Sequence, residues 1–446
     1  MKVVTTTFFH DFSRYFQFLE GAILSSGKNA SFFNISVYPS SHMFWKGNGK
    51  HSVLPWLSSS AELQVYNYNT HSELIDSLIY FNKRSLELFG IDEVPRLIKQ
   101  AEHYLNALDS IFKREQFDIL ISSGESRLIP SVVIYLAKKY NVRIIFFEQG
   151  PFGTTIFDGQ GVNANISFKP SFRRLSDYED KKLADFIGEY KEKSSEKYWL
   201  NGIGHKEKLW NTVSLLLMHP PSFLKAVMPV DLWLGEGFYR GYLKPKLLAL
   251  SKKNIREQVE EIECSRKYVA LYLQVPVDAQ LIEHSPYYSD FYRMLIDVLE
   301  AKPVDFDLII REHPQYRGKY DARIYEIVRL RDDVYLGNFY SLKELVVHSA
   351  CTVVNNSAVG IESILLGINV VCLGSSYYSH KGITYDYNGS NLTEIISLAI
   401  NEKFQEVRVK SFLYELCFEY LQPGHFQDTN LVFPTKLLSM MDAYEK

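Results

Sequence analysis

The residues best suited to chemistry lie near position 356. Asn355, Asn356 and Ser357 follow an apolar run at 351–354 and precede a segment of small residues with helical spacing. A buried strand that leads into a helix in this way leaves free backbone amides and a hydroxyl group where an anion such as a phosphate can bind. An ordinary turn, with Asn356 or Ser357 as a plain helix cap, accounts for the same residues.

Two further apolar runs also end in polar side chains. The run at 268–274 ends in Gln274, and the run at 306–311 ends in Arg311 ahead of a His-Pro pair. Because ligands of open parallel sheets bind outside the carboxyl ends of the strands, three polar strand ends indicate one binding site. The candidates for this site are Gln274, Asp278, Gln280, Arg311, His313, Pro314, Asn355, Asn356, Ser357, Gly360 and Glu362.

The first half of the chain has a similar pattern. A strand, a helix and a second strand form a βαβ unit over residues 117–147. Ser123, Gly124 and Glu125 follow its first strand, and Glu148 follows its second. A carboxylate at either strand end can act as a general base, so Glu125 and Glu148 are rival candidates. An ion pair between Glu148 and an arginine is the simpler alternative.

The elements that must position these residues alternate along the chain. Runs of strand length and of helical length follow one another, which is typical of parallel sheets covered on both faces. The predicted fold class is therefore α/β, with two Rossmann-like lobes. The predicted domains are an amino-terminal lobe at 1–165, a helical and aromatic connector at 166–262, a carboxyl-terminal lobe at 263–400, and helices at 401–446 that return to the first lobe. In the second half, the predicted strands are 268–274, 306–311, 334–336, 352–354 and 370–373, and the predicted helices are 287–299, 322–330, 342–348 and 357–366.

The connector has two different parts. Residues 170–208 are rich in Lys, Glu and Asp, which is typical of solvated helices. Residues 210–253 mix large apolar side chains with an excess of Lys and Arg. Such a mixture suits contact with anionic lipid, but a connector packed on the body of the protein needs the same apolar residues, and the second interpretation is favoured.

Composition excludes some classes of protein. The chain has 446 residues, 23% of them charged and 46% hydrophobic, as in a globular protein with two or three domains. A net charge of −3 argues against nucleic acid as a partner, because there is no cationic surplus to neutralise a phosphate backbone. The four cysteines have no CxxC spacing and are predicted to be reduced core residues.

Targeting and metal-binding signals are also missing from the sequence. There is no recognisable signal peptide and no apolar run long enough to span a bilayer, so we expect a cytoplasmic protein, with peripheral contact at the cytoplasmic face of the inner membrane as an option. A DxD sequence occurs at Asp305-Phe306-Asp307, but it begins a strand instead of ending one. No metal site is therefore predicted.

One larger set of residues keeps a characteristic order and spacing over about 130–170 and 265–390. It comprises Glu148-Gln149-Gly150, Asp158, Gly161-Val162-Asn163, Gln274, Asp278, His313-Pro314, Asn356-Ser357, Gly360, Glu362, Tyr377-Tyr378 and Gly382-Ile383-Thr384-Tyr385-Asp386. This set resembles the capsule polysaccharide biosynthesis family, whose members include retaining β-Kdo transferases of capsule and lipopolysaccharide assembly. The resemblance implies a GT-B-like fold in which two Rossmann-like lobes face a central cleft.

The resemblance also implies roles for individual residues. The donor would be CMP-β-Kdo, bound by the carboxyl-terminal lobe without a further cofactor, and the acceptor an oligosaccharide or a lipid-linked glycan. Asp278 would be the nucleophile and Glu148 the acid/base, and His313 would contact the donor. Two carboxylates suit retention through a covalent adduct. The residues expected on the acceptor side or behind the site are Ser123, Gly124, Glu125, Gly150, Asp158 and Tyr378.

Other functions fit part of the pattern. The His-Pro pair and the Asn-Ser turn also resemble elements of bacterial sialyltransferases, which invert the sugar of a CMP donor; Asp278 would then form no adduct. A UDP-sugar epimerase shares the expected two-lobed architecture. A non-catalytic partner in a capsule assembly complex would keep the fold without needing the carboxylates. Asp278 as a mere cap of the turn after Pro276 is the simplest reading of that residue.

Overall fold

A computed structural model of the protein describes residues 1–59, 65–192, 205–237, 239–244, 247 and 267–443. The chain divides into two compact units. The first unit takes in 1–162, 198–256 and 421–446, and the second takes in 163–197 and 257–420. These boundaries differ from the predicted ones, because both the connector and the carboxyl-terminal segment are divided between the units.

The first unit is built on a sheet of seven strands. Five neighbouring strands are parallel, and at one edge two further strands are each antiparallel to the strand on their inner side. In the order β13-β6-β5-β4-β1-β2-β3, the strands are β1 Lys2–Thr7, β2 Ser31–Ser36, β3 His51–Val53, β4 Ile119–Ser123, β5 Arg143–Gln149, β6 Thr154–Asp158 and β13 Gln422–Pro423. The helices of this unit are α1 His10–Ser25, α2 Pro39–Gly47, α3 Tyr68–Leu88, α4 Val94–Glu115, α5 Leu128–Lys139, α7 His205–Met218 and α15 Thr435–Ala443.

Packing explains why distant segments belong to the first unit. On one face of the sheet, Leu437 and Met441 of α15 lie in the same buried cluster as Phe16 of α1. On the other face, Leu232 and Trp233, from the predicted connector, are buried in the cluster formed by α3, α4 and α5. These apolar side chains stabilise the unit by leaving water, so the segments that carry them are part of its core.

The second unit is built on a six-stranded sheet in which every pair is parallel. In the order β12-β11-β10-β7-β8-β9, the strands are β7 Tyr268–Tyr272, β8 Asp307–Arg311, β9 Val334–Leu336, β10 Cys351–Val354, β11 Val370–Cys372 and β12 Tyr385–Asp386. Its helices are α6 Asp177–Glu192, α8 Ala279–His284, α9 Phe291–Ala301, α10 Ala322–Leu330, α11 Leu342–Val347, α12 Val359–Leu365, α13 Leu392–Asn401 and α14 Glu406–Tyr414. The predicted α/β class is confirmed; the sheet of the second unit is parallel throughout, and that of the first unit is parallel over five of its strands.

The predicted elements of the second unit lie within a few residues of these bounds, and two differences are informative. The helix predicted at 287–299 begins at Phe291, because the Asp290 side chain caps it by accepting a hydrogen bond from the backbone N–H of Tyr292. Within the segment predicted to hold helices at 401–446, the α-helix at Glu406–Tyr414 is followed by a π-helical turn at Glu415–Tyr420.

In each sheet, the strand order reverses beside the strand that comes first in the sequence of that unit. In the first unit the earliest strand, β1, lies between β2 and β4. In the second, β7 lies between β8 and β10. The connections that leave the carboxyl ends of these neighbouring strands go in opposite directions, and such a crossover is where open α/β sheets bind their ligands.

Predictions from the sequence also concern the cysteines and the apolar length of the helices. Cys351, Cys372 and Cys417 are buried and free, as predicted, whereas Cys264 lies outside the described residues. Among the helices that the structure describes, none has the length and apolar character required to cross a membrane.

Candidate functional site

At the crossover of the second unit, the point where the strand order of its sheet reverses, Gln274 and Asn356 form two hydrogen bonds with each other. Gln274 Nε2 donates to Asn356 Oδ1 at 3.0 Å, and the backbone N–H of Asn356 donates to Gln274 Oε1 at 3.2 Å. Asn356 Nδ2 in turn donates to the carbonyl oxygen of Gln280 at 2.7 Å. The ends of β7 and β10 and the start of α8 are thereby held together, so the structure brings these three predicted residues into one cluster.

Asp278 lies beside this cluster as the N-cap of α8. Its Oδ1 accepts the backbone N–H of Gln280 at 3.0 Å. Burial raises the pKa of the Asp278 carboxyl, and hydrogen bonds from Gln280 and the Gln274 side chain act in the opposite direction. Gln280 Oε1 is buried with no partner among the described residues. The site therefore contains a half-buried carboxyl group and a spare amide acceptor.

The turn after β10 contains one side chain with spare bonding capacity. Ser357 Oγ accepts the backbone N–H of Val359 at 3.2 Å, and its own proton has no acceptor among the described residues. Asn355 differs, because its Oδ1 accepts from Ser285 Oγ at 2.8 Å and its Nδ2 donates to the Tyr288 carbonyl oxygen at 2.9 Å. Both ends of the Asn355 amide therefore tie the turn to the 285–288 segment.

Gly360 and Tyr378 form a single structural device behind this turn. Tyr378 is fully buried, and its hydroxyl donates to the carbonyl oxygen of Ser357. A Cβ atom at position 360 would lie 2.5 Å from Tyr378 Cζ, so only glycine lets the ring reach the turn. Tyr378 was predicted on the acceptor side or behind the site, and the structure places it in the second unit, behind the Ser357 turn.

Arg311 and Glu362 lie close to residues that the sequence did not single out. Arg311 Nη1 donates to the carbonyl oxygens of Gly337, at 3.2 Å, and Tyr340. The Tyr190 hydroxyl donates to Glu362 Oε2 at 2.7 Å. Burial raises the pKa of Glu362, against this hydrogen bond and the nearby charges of Lys343 and Arg311.

Tyr272 is a further polar group that the sequence reasoning missed. Its side chain is 3% exposed, and its hydroxyl has no hydrogen-bond partner among the described residues. Burial raises the Tyr272 pKa, and the charges of Arg311 and Glu362 act on it from nearby. Tyr272 is the last residue of β7, so a search for polar side chains that included the final residue of each strand would have identified it.

His313 begins the loop after β8. The backbone N–H of Gln315 donates to His313 Nδ1 at 3.3 Å, so in the neutral ring Nε2 carries the proton and can donate. Tyr320 fixes the loop, because its hydroxyl donates to the Gln274 carbonyl oxygen at 2.9 Å and accepts the His313 N–H at 3.2 Å. Pro314 is exposed at the start of the same turn.

The neighbouring Glu312 holds this loop in place. Its carboxylate accepts from Asn338 Nδ2 at 2.6 Å and from the Gly318 N–H at 2.9 Å. The Tyr325 hydroxyl donates to it at 2.5 Å. Glu312 is 3% exposed and its oxygens are occupied, so it anchors the loop that carries His313.

In the first unit, Glu148 lies near the end of β5 and is half-buried. Its Oε1 accepts the backbone N–H of Gln149 at 2.9 Å. Gly150 opens the hairpin to β6, where its N–H donates to the Thr154 carbonyl oxygen at 3.0 Å. A Cβ atom at position 150 would lie 3.2 Å from the Thr154 carbonyl carbon and nearer still to its hydroxyl, so glycine is required by the tight hairpin.

The remaining candidates of the first unit shape its strand ends. Ser123 is buried, with its Oγ donating to the Thr6 carbonyl oxygen at 2.7 Å. Gly124 has a φ of +68°, which favours glycine. Glu125 Oε1 accepts the Val162 N–H at 3.5 Å. Asp158 Oδ1 accepts the N–H groups of the turn at 160–161, at 2.6 and 3.1 Å, so Asp158 caps the turn after β6.

The described residues contain no group of three or more His, Cys, Asp or Glu side chains that could hold a metal ion. The polar side-chain groups described at the second unit's crossover are amides, a hydroxyl, an imidazole and the Asp278 carboxyl. Such groups can bind phosphate and hydroxyl oxygens and can attack or stabilise an electron-poor carbon.

A family model described as "Capsule polysaccharide biosynthesis protein" matches residues 239–406. The matched segment includes the strands β7 to β12 and the Gln274–Asn356 crossover. The predicted resemblance to this family is therefore confirmed over that segment.

Named relatives cover parts of the chain. Protein FixF of Sinorhizobium fredii is 28% identical over 216 residues, which are 47% of this chain and 50% of FixF. Capsule polysaccharide export protein KpsS of Escherichia coli is 25% identical over 298 residues, 62% of this chain and 72% of KpsS. The chain thus spans only about half the length of FixF. Among solved structures, the KpsC beta Kdo 2,7 transferase of Thermosulfurimonas dismutans is similar with 15% identity and a TM-score of 0.37, over 76% of this chain and 89% of that one.

Proposed function

We propose that this chain, which matches the capsule polysaccharide biosynthesis family over residues 239–406, is a glycosyltransferase. It transfers Kdo from CMP-β-Kdo to a growing surface polysaccharide. The observation that carries the proposal is the Asp278 carboxyl beside the Gln274–Asn356 pair, at the crossover of a Rossmann-like sheet within the matched segment.

The second unit offers suitable partners for the donor's phosphate. The Ser357 hydroxyl proton has no acceptor among the described residues, and the His313 ring lies in the loop after β8. Both groups lie at carboxyl ends of strands, where phosphates of nucleotides bind in this class of sheet. Glu362 lies in the first turn of α12 and can accept from a ribose hydroxyl if Tyr190 gives up its hydrogen bond.

Retention of configuration follows from two displacements. In the first, an Asp278 oxygen bonds to the anomeric carbon while the bond to the CMP oxygen breaks, and CMP leaves as an anion. In the second, the acceptor hydroxyl oxygen displaces Asp278, and its proton passes to Glu148. Burial of Asp278 disfavours its isolated charge, which keeps the carboxylate reactive toward a cationic carbon. CMP is a good leaving group, so the first step needs little acid assistance.

The first test is turnover with a panel of CMP-sugars and UDP-sugars, with nucleotide release and product mass as readouts. We expect turnover of CMP-Kdo in the presence of EDTA. Turnover of CMP-sialic acid with inversion favours a sialyltransferase-like enzyme, and isomerisation of a UDP-sugar without transfer favours an epimerase. No turnover of any donor favours a non-catalytic assembly partner.

The second test separates the nucleophilic role of Asp278 from its capping role. Asparagine caps helices as well as aspartate does, so Asp278→Asn should keep α8 intact while removing the nucleophile. Asp290→Asn is the matched control, because Asp290 caps α9 of the same unit with a similar bond of 2.9 Å to the Tyr292 N–H. We expect intact mass spectrometry to find a sugar adduct in the wild type and in Asp290→Asn, but not in Asp278→Asn. An equal adduct in all three proteins excludes Asp278 as the nucleophile.

Peripheral contact with the inner membrane is a further part of the proposal. Phe223 and Val227 are 80% and 77% exposed on the first unit, and the half-buried Lys225 lies between them in sequence. Exposed apolar side chains next to cations suit the surface of an anionic bilayer. A lipid-linked acceptor would then be met at that surface.

A further inference from the structure

The crossover of the first unit carries a cation that none of the roles above uses. Phe8 directly follows β1, and Arg127 is the N-cap of α5, just after β4. Because β1 and β4 are neighbours and parallel, both residues lie at the carboxyl edge where the strand order reverses. Ligands of open α/β sheets bind at such a point.

Arg127 is positioned by aromatic neighbours but forms few hydrogen bonds with the described residues. Its Nη1 donates to the Tyr38 hydroxyl at 3.0 Å, and its guanidinium carbon lies 5.6 Å from the Phe8 ring centre and 5.8 Å from that of Phe81. The Tyr38 bond is its one hydrogen bond to the described residues, although a guanidinium has five N–H donors. Most of its capacity to bind anions is therefore unused.

A second arginine of the same unit provides a contrast. Arg96 donates from both Nη atoms to three backbone carbonyls of the 225–228 turn and pairs with Glu93 at 3.4 Å. Its donors are used to fix a turn. Arg127 has no carboxylate within 4.0 Å among the described residues, and the Asp231 carboxyl, which interacts with it electrostatically, is buried and accepts from the Tyr104 hydroxyl.

Aromatic rings surround this cation. The Phe9 ring stacks on the Tyr38 ring, with centres 4.8 Å apart and planes 8° apart. Phe8 and Phe9 are half-buried, so part of each ring remains accessible. Rings of this kind pack against the apolar faces of sugars, while a guanidinium fork matches the two oxygens of a carboxylate or phosphate.

We propose that Arg127, with Phe8 and Phe9, binds an anionic group of the acceptor, the carboxylate of an acidic sugar. The proposal rests on the proposed function, because it assigns the first unit to the acceptor. A phosphate of a lipid-linked acceptor presents the same oxygen chemistry, so the test must separate the two sources.

The test measures binding by isothermal titration to the full chain without any donor, so it does not depend on turnover. The probes are the methyl glycoside of Kdo, its carboxyl methyl ester and glycerol 3-phosphate. We expect the wild type to bind the charged glycoside at least 10-fold more tightly than the ester, and Arg127→Gln to lose this preference. Arg127→Lys should keep part of it, because the charge remains but the fork is lost.

The design includes two controls and three outcomes that would contradict the proposal. Arg84→Gln removes an exposed cation of the same unit that pairs with Glu87, and should bind like the wild type. Tyr38→Phe removes the one hydrogen bond of Arg127 and should change affinity less than 3-fold. Equal affinity for glycoside and ester in the wild type overturns the proposal, as does a preference that survives in Arg127→Gln. Binding of glycerol 3-phosphate alone, dependent on Arg127, overturns the carboxylate and assigns the site to phosphate.

Discussion

Replacement of Gly360 by alanine tests how the Ser357 turn is held. The added methyl group would lie 2.5 Å from Tyr378 Cζ, whereas carbon atoms in contact stay about 3.5–4.0 Å apart, so the ring must retreat by roughly 1 Å. Tyr378 is 0% exposed, so the ring has no open solvent to move into. The ring can move only by disturbing its neighbours and giving up its hydrogen bond to Ser357.

The expected cost of Gly360→Ala is the sum of three contributions. Overpacking costs about 1–3 kcal/mol, and the lost hydrogen bond costs about 0.5–1.5 kcal/mol. Alanine in place of glycine within a helix returns about 0.5–1 kcal/mol. We therefore expect the free energy of unfolding of the second unit to fall by about 2 kcal/mol. Donor turnover should fall as well, because the Ser357 hydroxyl is displaced.

Urea unfolding followed by circular dichroism measures this loss. The control is Gly188→Ala in α6 of the same unit, where an added Cβ meets nothing within 4 Å. Its stability should stay equal or rise slightly. Tyr378→Phe should destabilise the wild type but add little to Gly360→Ala, because the hydroxyl bond is already broken there. Equal midpoints for the two alanine variants, or full additivity with Tyr378→Phe, would refute the reasoning.

Two other features give testable outcomes. Burial raises the pKa of Asp231 from 3.8 to about 7, so the folded state keeps a proton that the unfolded state releases. The contribution of Asp231 to stability is therefore fully present below pH 3.8, and up to roughly 4 kcal/mol is lost as the pH rises to about 7. Urea titrations across this range should show a flatter pH dependence for Asp231→Asn, and an unchanged slope speaks against the assignment. At the membrane, the double change of Phe223 and Val227 to serine should reduce co-sedimentation with vesicles containing anionic lipid. Leu330→Ser, at a residue 84% exposed on the second unit, should leave it unchanged; equal losses contradict a specific surface.

The sheet of the second unit could be predicted from the sequence because its strands are buried on both faces. Val269, Leu271, Ile310 and Val353 are all about 0% exposed, and such strands appear as continuous apolar runs. Polar residues at the ends of these runs then identify the carboxyl edge. Gln274 and Asn356 meet across that edge because β7 and β10 are parallel neighbours with Tyr272 opposite Val354, a strand order and register that the structure supplies.

Other features depend on contacts that no local pattern encodes. The Tyr190–Glu362 hydrogen bond joins residues 172 positions apart. The strand β1 was not predicted, because its second half, Thr5 to Thr7, looks polar; in the structure these residues are buried and hydrogen-bond through their hydroxyls, as when Thr5 Oγ1 donates to Asn34 Oδ1 at 2.9 Å. Burial of hydroxyls is tolerated only with such partners, and partners are set by the tertiary fold.

The roles predicted for the site residues also divide into those that the local sequence indicates and those that depend on the tertiary fold. The sequence selected Asn355 as a donor-binding residue and placed Gly150 on the acceptor side or behind the site. In the structure, the Asn355 amide ties its turn to the 285–288 segment, and Gly150 closes a tight hairpin with Thr154. The sequence did not select Tyr272 or Arg127, whose unused donors become visible only when every neighbour is known. The roles of Asp278 and Glu148 in catalysis stay predictions.

The division of the chain has a consequence for how the molecule is made. The first unit needs β13 at the edge of its sheet and the apolar face of α15 against α1, and both come from the segment after residue 420. A ribosome releases the residues of the second unit's sheet before that segment. The unit that is synthesised first is therefore completed last. Until the segment after residue 420 is available, the sheet of this unit has an open edge and one of its apolar layers is uncovered. A chaperone would have most to protect during this period.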